Sequence, residues 1–213
     1  MTLRAVAWDI DGTLVDSEPL HHRALVAVCA RYGLTIDPED QSFVGVHIGD
    51  VWARLRHRLP ASVEQARWLE ELHAYYAAQS DTLQPMPGAI ETMHALAQAG
   101  VSQICVSNSV RAVVDINLRS LGVTGLLSGS LSLDDVAAGK PDPLPYRMAA
   151  DRLALPPEAV LAVEDSLTGL RSARAAGLRV ALVGPEAAQT NDADYALRAL
   201  TEIPALLGVP TPA

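Results

Sequence analysis

Residues 4–10, Arg-Ala-Val-Ala-Trp-Asp-Ile, form a short apolar run closed at once by Asp11-Gly12. An unbroken run of this length suits a strand covered on both faces, and the glycine lets the backbone turn where the strand ends. Four further runs follow, at 102–108, 125–131, 159–166 and 179–184, of which 125–131 is the weakest. Between the later runs lie helical repeats: Ile90, Met93, Leu96 and Ala97 ahead of Gly100; Val113, Val114, Leu118 and Leu121 ahead of Gly122; Leu170, Ala173 and Ala176 ahead of Gly177. Each glycine stands where a helix commonly ends in the left-handed conformation. Strands alternating with such helices imply right-handed βαβ units and therefore an α/β fold with a Rossmann-like doubly wound parallel sheet.

The first strand is followed by something different. From Ser17 to Thr82 only helical periodicity is found. Ser17 is the expected N-cap and Pro19 falls in the first turn, with Leu20, Ala24, Leu25 and Val28 on one face and Gly33 at the end. Val51, Leu55 and Leu59 make a second apolar stripe, and Leu69, Leu72 and Tyr76 a third. The stretch Pro85-Met86-Pro87-Gly88 returns the chain to the alternating pattern. The expected organisation is an α/β core domain of residues 1–15 and 84–213 carrying an inserted α-helical cap domain, 16–83, that could serve as a lid. The terminal Pro210-Thr211-Pro212-Ala213 is expected to fray.

With 213 residues, 49% of them apolar, the chain can bury a sizeable core. No apolar run approaches the roughly 20 residues that span a bilayer, and no signal-type segment opens the chain, so a cytoplasmic protein without a membrane partner is expected. A net charge of −9 argues against nucleic acid, whose phosphates need clustered positive charge. A monomer or weak homodimer is expected. Cys29 and Cys105 both sit in apolar periodic segments and read as buried structural thiols. Fifteen of the 16 basic residues are Arg, so Lys140 is the single lysine.

Several strand ends carry polar groups suited to chemistry. Asp9 and Asp11 flank one residue at the carboxyl end of the first strand, where open α/β sheets place their ligands. Two carboxylates this close repel unless a cation or a proton intervenes. Gly12 permits the sharp turn and Thr13 adds a hydroxyl, although Asp-Gly after a strand is also an ordinary turn. Glu164 and Asp165 end another apolar run; alone, Asp165 reads rather as a helix N-cap, and the first acidic pair shifts that balance. Acidic groups gathered on one sheet edge call for a hard cation, and Mg²⁺, which accepts a few carboxylates together with water and phosphate oxygens, suits best. Ser107 and Asn108 end the second run and offer a hydroxyl, an amide and backbone N–H groups to an anion, or else simply form a turn. Lys140, in a loop stiffened by Pro141 and Pro143, supplies the positive charge that a phosphate would require.

In this order, Asp9-Ile10-Asp11-Gly12-Thr13, Ser107, Lys140-Pro141 and Glu164-Asp165 resemble the four motifs of the haloacid dehalogenase-like hydrolase superfamily, in the branch with a helical cap after the first strand. The likeness covers nearly the whole chain. It implies a phosphatase acting on a small phosphorylated metabolite, with Asp9 as nucleophile forming an aspartyl-phosphate and Asp11 as acid and base. It also implies that Asp9, Gly12, Thr13, Ser107, Asn108 and Lys140 hold the phosphate. Asp9, Asp165 and the backbone carbonyl of Asp11 would bind Mg²⁺, with Glu164 acting through water. Asp16-Ser17-Glu18-Pro19 is similar to the pattern of sugar-phosphate phosphatases, and His21 matches a cap histidine of β-phosphoglucomutase-like proteins. Glu18, His21 and His22 are therefore candidate substrate residues, His22 being more readily read as a solvated surface residue.

The alternatives are a phosphosugar mutase and, from another class, a phospho-receiver or a non-catalytic binding scaffold. Ile48 and Val110 stand where a mutase would carry an arginine and a lysine, which favours hydrolysis. A dehalogenase proper should lack Asp11, because an ester formed at carbon needs no proton on a leaving oxygen. Phosphonate cleavage would need a cap lysine, and residues 16–83 contain none. A receiver domain would have no helical insertion, and a scaffold would normally have lost a motif residue.

Overall fold

The computed structural model describes residues 2–46 and 48–210; the end of the chain expected to fray lies, from Thr211 on, outside them. Its elements run β1 (Ala5–Trp8), β2 (Val15–Asp16), α1 (Glu18–Arg31), α2 (Ile48–Leu55), α3 (Gln65–Ala78), β3 (Gln84–Pro85), α4 (Ala89–Gln98), β4 (Ser102–Val106) and α5 (Arg111–Leu121). There follow β5 (Ser130–Leu131), α6 (Leu144–Arg152), β6 (Val160–Glu164), α7 (Leu167–Ala175), β7 (Arg179–Val183), β8 (Tyr195–Leu197) and α8 (Ile203–Leu206). The chain divides into two compact units, one running to Asp16 and resuming at Gln84, the other Ser17–Leu83.

The first unit is built on a six-stranded sheet in the order β5-β4-β1-β6-β7-β8, and all its neighbouring strands run parallel. Every residue of β1 and β6 is buried, as their unbroken apolar runs require. From β1 the chain first builds β4 and β5 on one side, then crosses to β6, β7 and β8 on the other. The order therefore reverses at β1, and the crevice outside the carboxyl ends of β4, β1 and β6 is where such sheets bind ligands. Trp8 is level with Cys105 on one neighbour and Val163 on the other, so the residues leaving these three strands emerge side by side. Ala5, Ala7, Ile104, Val106, Val160, Ala162 and Tyr146 belong to one buried cluster that holds the strands in register. Fully burying each large apolar side chain contributes about 1.5–3 kcal/mol. The two links to the second unit lie together as a small antiparallel pair, Val15 opposite Pro85 and Asp16 opposite Gln84.

Three features differ from the pattern of the sequence. The run 125–131 is a strand only at Ser130–Leu131; Thr124–Leu126 is a 3-10 turn, and Gly129 has a φ of 154°. Two glycines and a single neighbouring strand leave little to hold that run extended. The prolines after Lys140 suggest a stiffened loop, but Pro143 is the N-cap of α6 and Pro145 lies in its first turn, where a missing N–H costs nothing. β8 is three residues long, too short for a periodic signal.

In the second unit Ala24, Leu25, Val28, Cys29, Val51, Leu55, Leu59, Trp68 and Leu72 form one buried cluster, so the helical faces evident in the sequence pack together. The third stripe is centred on Trp68, fully buried, rather than on Leu69, which sits at its edge. Ser17 occupies the N-cap position of α1 with helical dihedrals (φ −92°, ψ −21°), and its side chain makes no capping bond. Cys29 and Cys105 are free and buried. Among the described residues no helix is long and apolar enough to cross a membrane.

Candidate active site

Asp9 follows β1 directly, and its backbone N–H still belongs to the sheet, donating to the Val163 carbonyl at 2.9 Å. Beside it Lys140 is buried, with its ammonium donating to Asp9 Oδ1 at 2.6 Å, Glu164 Oε1 at 2.6 Å and the Val106 carbonyl at 2.8 Å. Tyr146, fully buried on α6, donates its hydroxyl to the same Glu164 Oε1. The outer oxygen of Asp9, Oδ2, is buried and has no hydrogen-bond partner among the described residues. Carboxylate oxygens of Asp9, Glu164 and Asp165 lie within 4.8 Å of one another.

The charges do not balance. Burial raises the Asp9 carboxyl well above the ordinary carboxylate range, and Glu164, Asp165 and Asp11 push the same way, outweighing the pull of Lys140. Burial disfavours the Lys140 ammonium, but Asp9 and Glu164 overcome this and hold its pKa above that of a free lysine. Asp165 is raised to about 7 by burial and by Glu164 beside it. Fully ionised, three carboxylates around one ammonium would leave a deficit of two positive charges, which a divalent cation would neutralise.

Two glycines keep this cluster close-packed. Gly12 has a φ of +84°, and a Cβ there would stand 2.3 Å from Asp165 Oδ2. Gly169, in the first turn of α7, would put a Cβ 1.9 Å from the Glu164 carboxyl. That helix starts on Ser166, whose hydroxyl accepts from the Gly169 N–H at 3.1 Å. Asp165 itself is therefore not the N-cap, and its carboxylate stays with the cluster. Thr13 is buried, its hydroxyl 3.5 Å from Asp165 Oδ1.

Asp11 points its side chain elsewhere. Its Oδ2 accepts from Ser109 Oγ at 2.8 Å and Ser107 Oγ at 3.2 Å, and its Oδ1 from Asn117 Nδ2 at 2.9 Å. Asn108 uses both ends of its amide on the lysine loop: Nδ2 donates to the Lys140 carbonyl at 3.0 Å, and Oδ1 accepts from the Lys140 N–H at 2.8 Å. The side-chain amide expected to hold an anion thus positions Lys140, leaving the backbone as the part of Asn108 that can face an anion.

Residues 3–177 match the profile of the haloacid dehalogenase-like hydrolases. The chain belongs to that family. It is 31% identical to validoxylamine A 7'-phosphate phosphatase of Streptomyces hygroscopicus subsp. limoneus, over 94% of this chain and 95% of that one. It is 30% identical to hexitol phosphatase A of Escherichia coli, over 95% and 94%. Among solved structures, CbbY of Rhodobacter sphaeroides in complex with phosphate is similar, with a TM-score of 0.84 at 28% identity, over 98% of this chain and 100% of that one.

In this hydrolase the structure brings Asp9, Lys140, Glu164, Asp165, Gly12 and Thr13 together, with Asp11, Ser107 and Asn108 adjoining through the contacts above. The three candidate substrate residues lie in the second unit, engaged with its own fabric. Glu18 accepts from the Gly45 N–H at 3.1 Å, His21 stacks on Tyr76 with ring centroids 4.5 Å apart, and His22 Nε2 is 2.9 Å from the Pro38 carbonyl. Sequence reasoning misses Tyr146, Ser109, Asn117 and Gly169. Only Asn117 leaves a signal there, as a polar residue inside the apolar stripe of α5.

Gly12→Ala should lower the unfolding free energy by about 1–2 kcal/mol from the left-handed backbone alone, and displace the Asp165 carboxylate as well. A denaturant titration paired with a phosphatase assay checks both. Stability and activity equal to wild type would contradict the packing described.

Proposed function

We propose that this chain hydrolyses a small phosphate monoester, a sugar or polyol phosphate, through a phosphorylated Asp9 and with Mg²⁺ as its metal. As a member of this hydrolase family it is a phosphoric monoester hydrolase. The observation that carries the mechanism is the Asp9 carboxylate, with one oxygen held by Lys140 and the other buried without a partner among three acidic groups. The names of the phosphatase relatives support the substrate class. Ile48 and Val110 give neither unit the positive charge that a second phosphate would need at those positions, which favours hydrolysis over a mutase.

Asp9, Asp165 and the Asp11 carbonyl would hold the metal, with Glu164 behind them. The partnerless Asp9 Oδ2 and the charge deficit both suit a hard divalent ion. When bound, Mg²⁺ would draw charge from the phosphoryl oxygens as the transfer proceeds.

The residues of the chain divide the remaining work. Asp9 attacks phosphorus, and the leaving oxygen departs with a proton from Asp11; water then attacks the aspartyl-phosphate, giving its proton to Asp11 and releasing phosphate. Lys140, Ser107, Thr13 and the backbone N–H of Asn108 would face the phosphoryl oxygens, where preorganised donors matter most; the Gly12 N–H, expected from the sequence to join them, instead donates to the Val15 carbonyl at 2.9 Å within its own turn. Residues 16–83 are read as a cap that sets substrate choice, with Glu18, His21 and His22 the first positions to vary.

The test is phosphate release from a panel of sugar and polyol phosphates with and without Mg²⁺. Release that depends on the metal is expected; no release, or release indifferent to a chelator, would overturn the proposal. Mg²⁺ affinity should also depend on pH. Asp165 must lose its proton to bind the ion, and its carboxyl is raised to about 7. Asp9, whose carboxyl is also raised, must do the same, so affinity should climb by about tenfold or more per unit as pH rises toward 7. Calorimetric titrations from pH 5.5 to 8 check this, and a flat profile would contradict it.

A further inference from the structure

Four residues of α5 are buried, and three of them are Val113, Val114 and Leu118. The fourth is Asn117, wholly inaccessible to solvent. Asparagine is a poor helix former, and a buried amide is unfavourable unless it finds hydrogen-bond partners. Its partner here is a carboxylate: Nδ2 donates to Asp11 Oδ1 at 2.9 Å. Ser109 takes the other oxygen, donating to Oδ2 at 2.8 Å, and its own N–H donates to Ser107 Oγ at 2.9 Å. Both oxygens of Asp11 are thus held by the β4–α5 connection and by α5, elements far along the chain from the turn that carries Asp11.

We propose that Asn117 and Ser109 are positioning residues that fix the direction of the Asp11 carboxylate for proton transfer to the leaving oxygen. The inference rests on the reading of Asp11 as the general acid. Asp11 lies in a tight turn in which Gly12 has a left-handed φ of +84°, and a carboxylate on that turn has several rotamers open to it. Donors aimed at opposite oxygens, Asn117 at one and Ser109 at the other with Ser107 beside it at 3.2 Å, select one of them. A misdirected acid slows a reaction only as far as the leaving oxygen needs its proton. An alkoxide leaving group needs it greatly, whereas p-nitrophenolate leaves nearly as well without it. A residue that merely supports the fold would not distinguish the two.

The experiment compares kcat/KM, which reports on steps through departure of the leaving group, for a polyol phosphate and for p-nitrophenyl phosphate. The variants are Asn117→Leu, Ser109→Ala and Ser109→Thr. Asn117→Leu and Ser109→Ala should lower the polyol phosphate value by about 10- to 100-fold and the p-nitrophenyl phosphate value by less than about 3-fold. The loss should lie in kcat rather than KM, and Ser109→Thr, which returns the hydroxyl, should restore most of it. Equal losses on both substrates, no loss on either, or no recovery with Thr would overturn the clamp. If Asn117→Leu does not fold, the Ser109 pair decides. Wild-type protein that hydrolyses neither compound would instead overturn the phosphatase reading, and the clamp with it.

Discussion

Asp9→Asn should reduce turnover by at least about 10⁴-fold, because the substitution keeps the shape of the side chain but removes the attacking carboxylate. The protein should remain folded. The native carboxylate is buried and its pKa is raised well above the ordinary value, first by burial and then by Glu164, so its charge is a cost to the fold at neutral pH. A neutral amide removes that cost, and Lys140 keeps its ion pair with Glu164 at 2.6 Å. A thermal melt within a few degrees of wild type, together with a loss of phosphate release, is the expected result. Wild-type turnover by the variant would show that Asp9 is not the nucleophile.

Lys140→Met should have the largest combined effect. Methionine has a similar reach and no charge, so Asp9 and Glu164 would face each other across a buried space without the ammonium that now touches both. Removing one partner of a buried ion pair costs about 3–5 kcal/mol, chiefly from the charge left behind. Turnover should fall by about 10²- to 10³-fold with the loss of a donor to the transferring phosphoryl group. The deficit in stability should depend on pH. Lys140 is the group that lowers the Asp9 pKa, so its loss raises that value further above the unfolded one. Protonation then favours the folded variant, most fully at acid pH, and this stabilisation disappears as pH rises through the folded pKa. Denaturant titrations without metal at pH 5.5 and pH 8 should show the larger deficit at pH 8. Equal stability of variant and wild type at both values would contradict the balance of charges described here.

Much of the site is legible in the sequence because its residues end apolar runs. Asp9, Ser107 and Glu164 each stand at or just past the last residue of a buried strand, and a strand buried on both faces has a local signature that needs no partner to be recognised. The helices of the second unit are legible for the same reason, through a period of 3.6 residues. The weak run at 125–131 fails where that logic fails: glycine-rich residues at the edge of a sheet are held by whatever lies beside them, and of this run Ser130–Leu131 pair with β4 as a strand. α6 is hidden by its own prolines, and with it Tyr146, whose hydroxyl bears on Glu164.

The amino-acid sequence alone determined the α/β class, the position of the helical segment after the first strand, and which side chains end the strands, because these follow from local periodicity and chain order. The tertiary structure decided the partners. Lys140 meets Asp9 and Glu164, Asn108 holds the lysine loop, Asn117 and Ser109 hold Asp11, and Gly12 and Gly169 make room for carboxylates. All of these but the Gly169–Glu164 approach join residues far apart in the chain. They depend on the strand order that sets β4 and β6 on either side of β1, a long-range outcome of packing that no local pattern encodes.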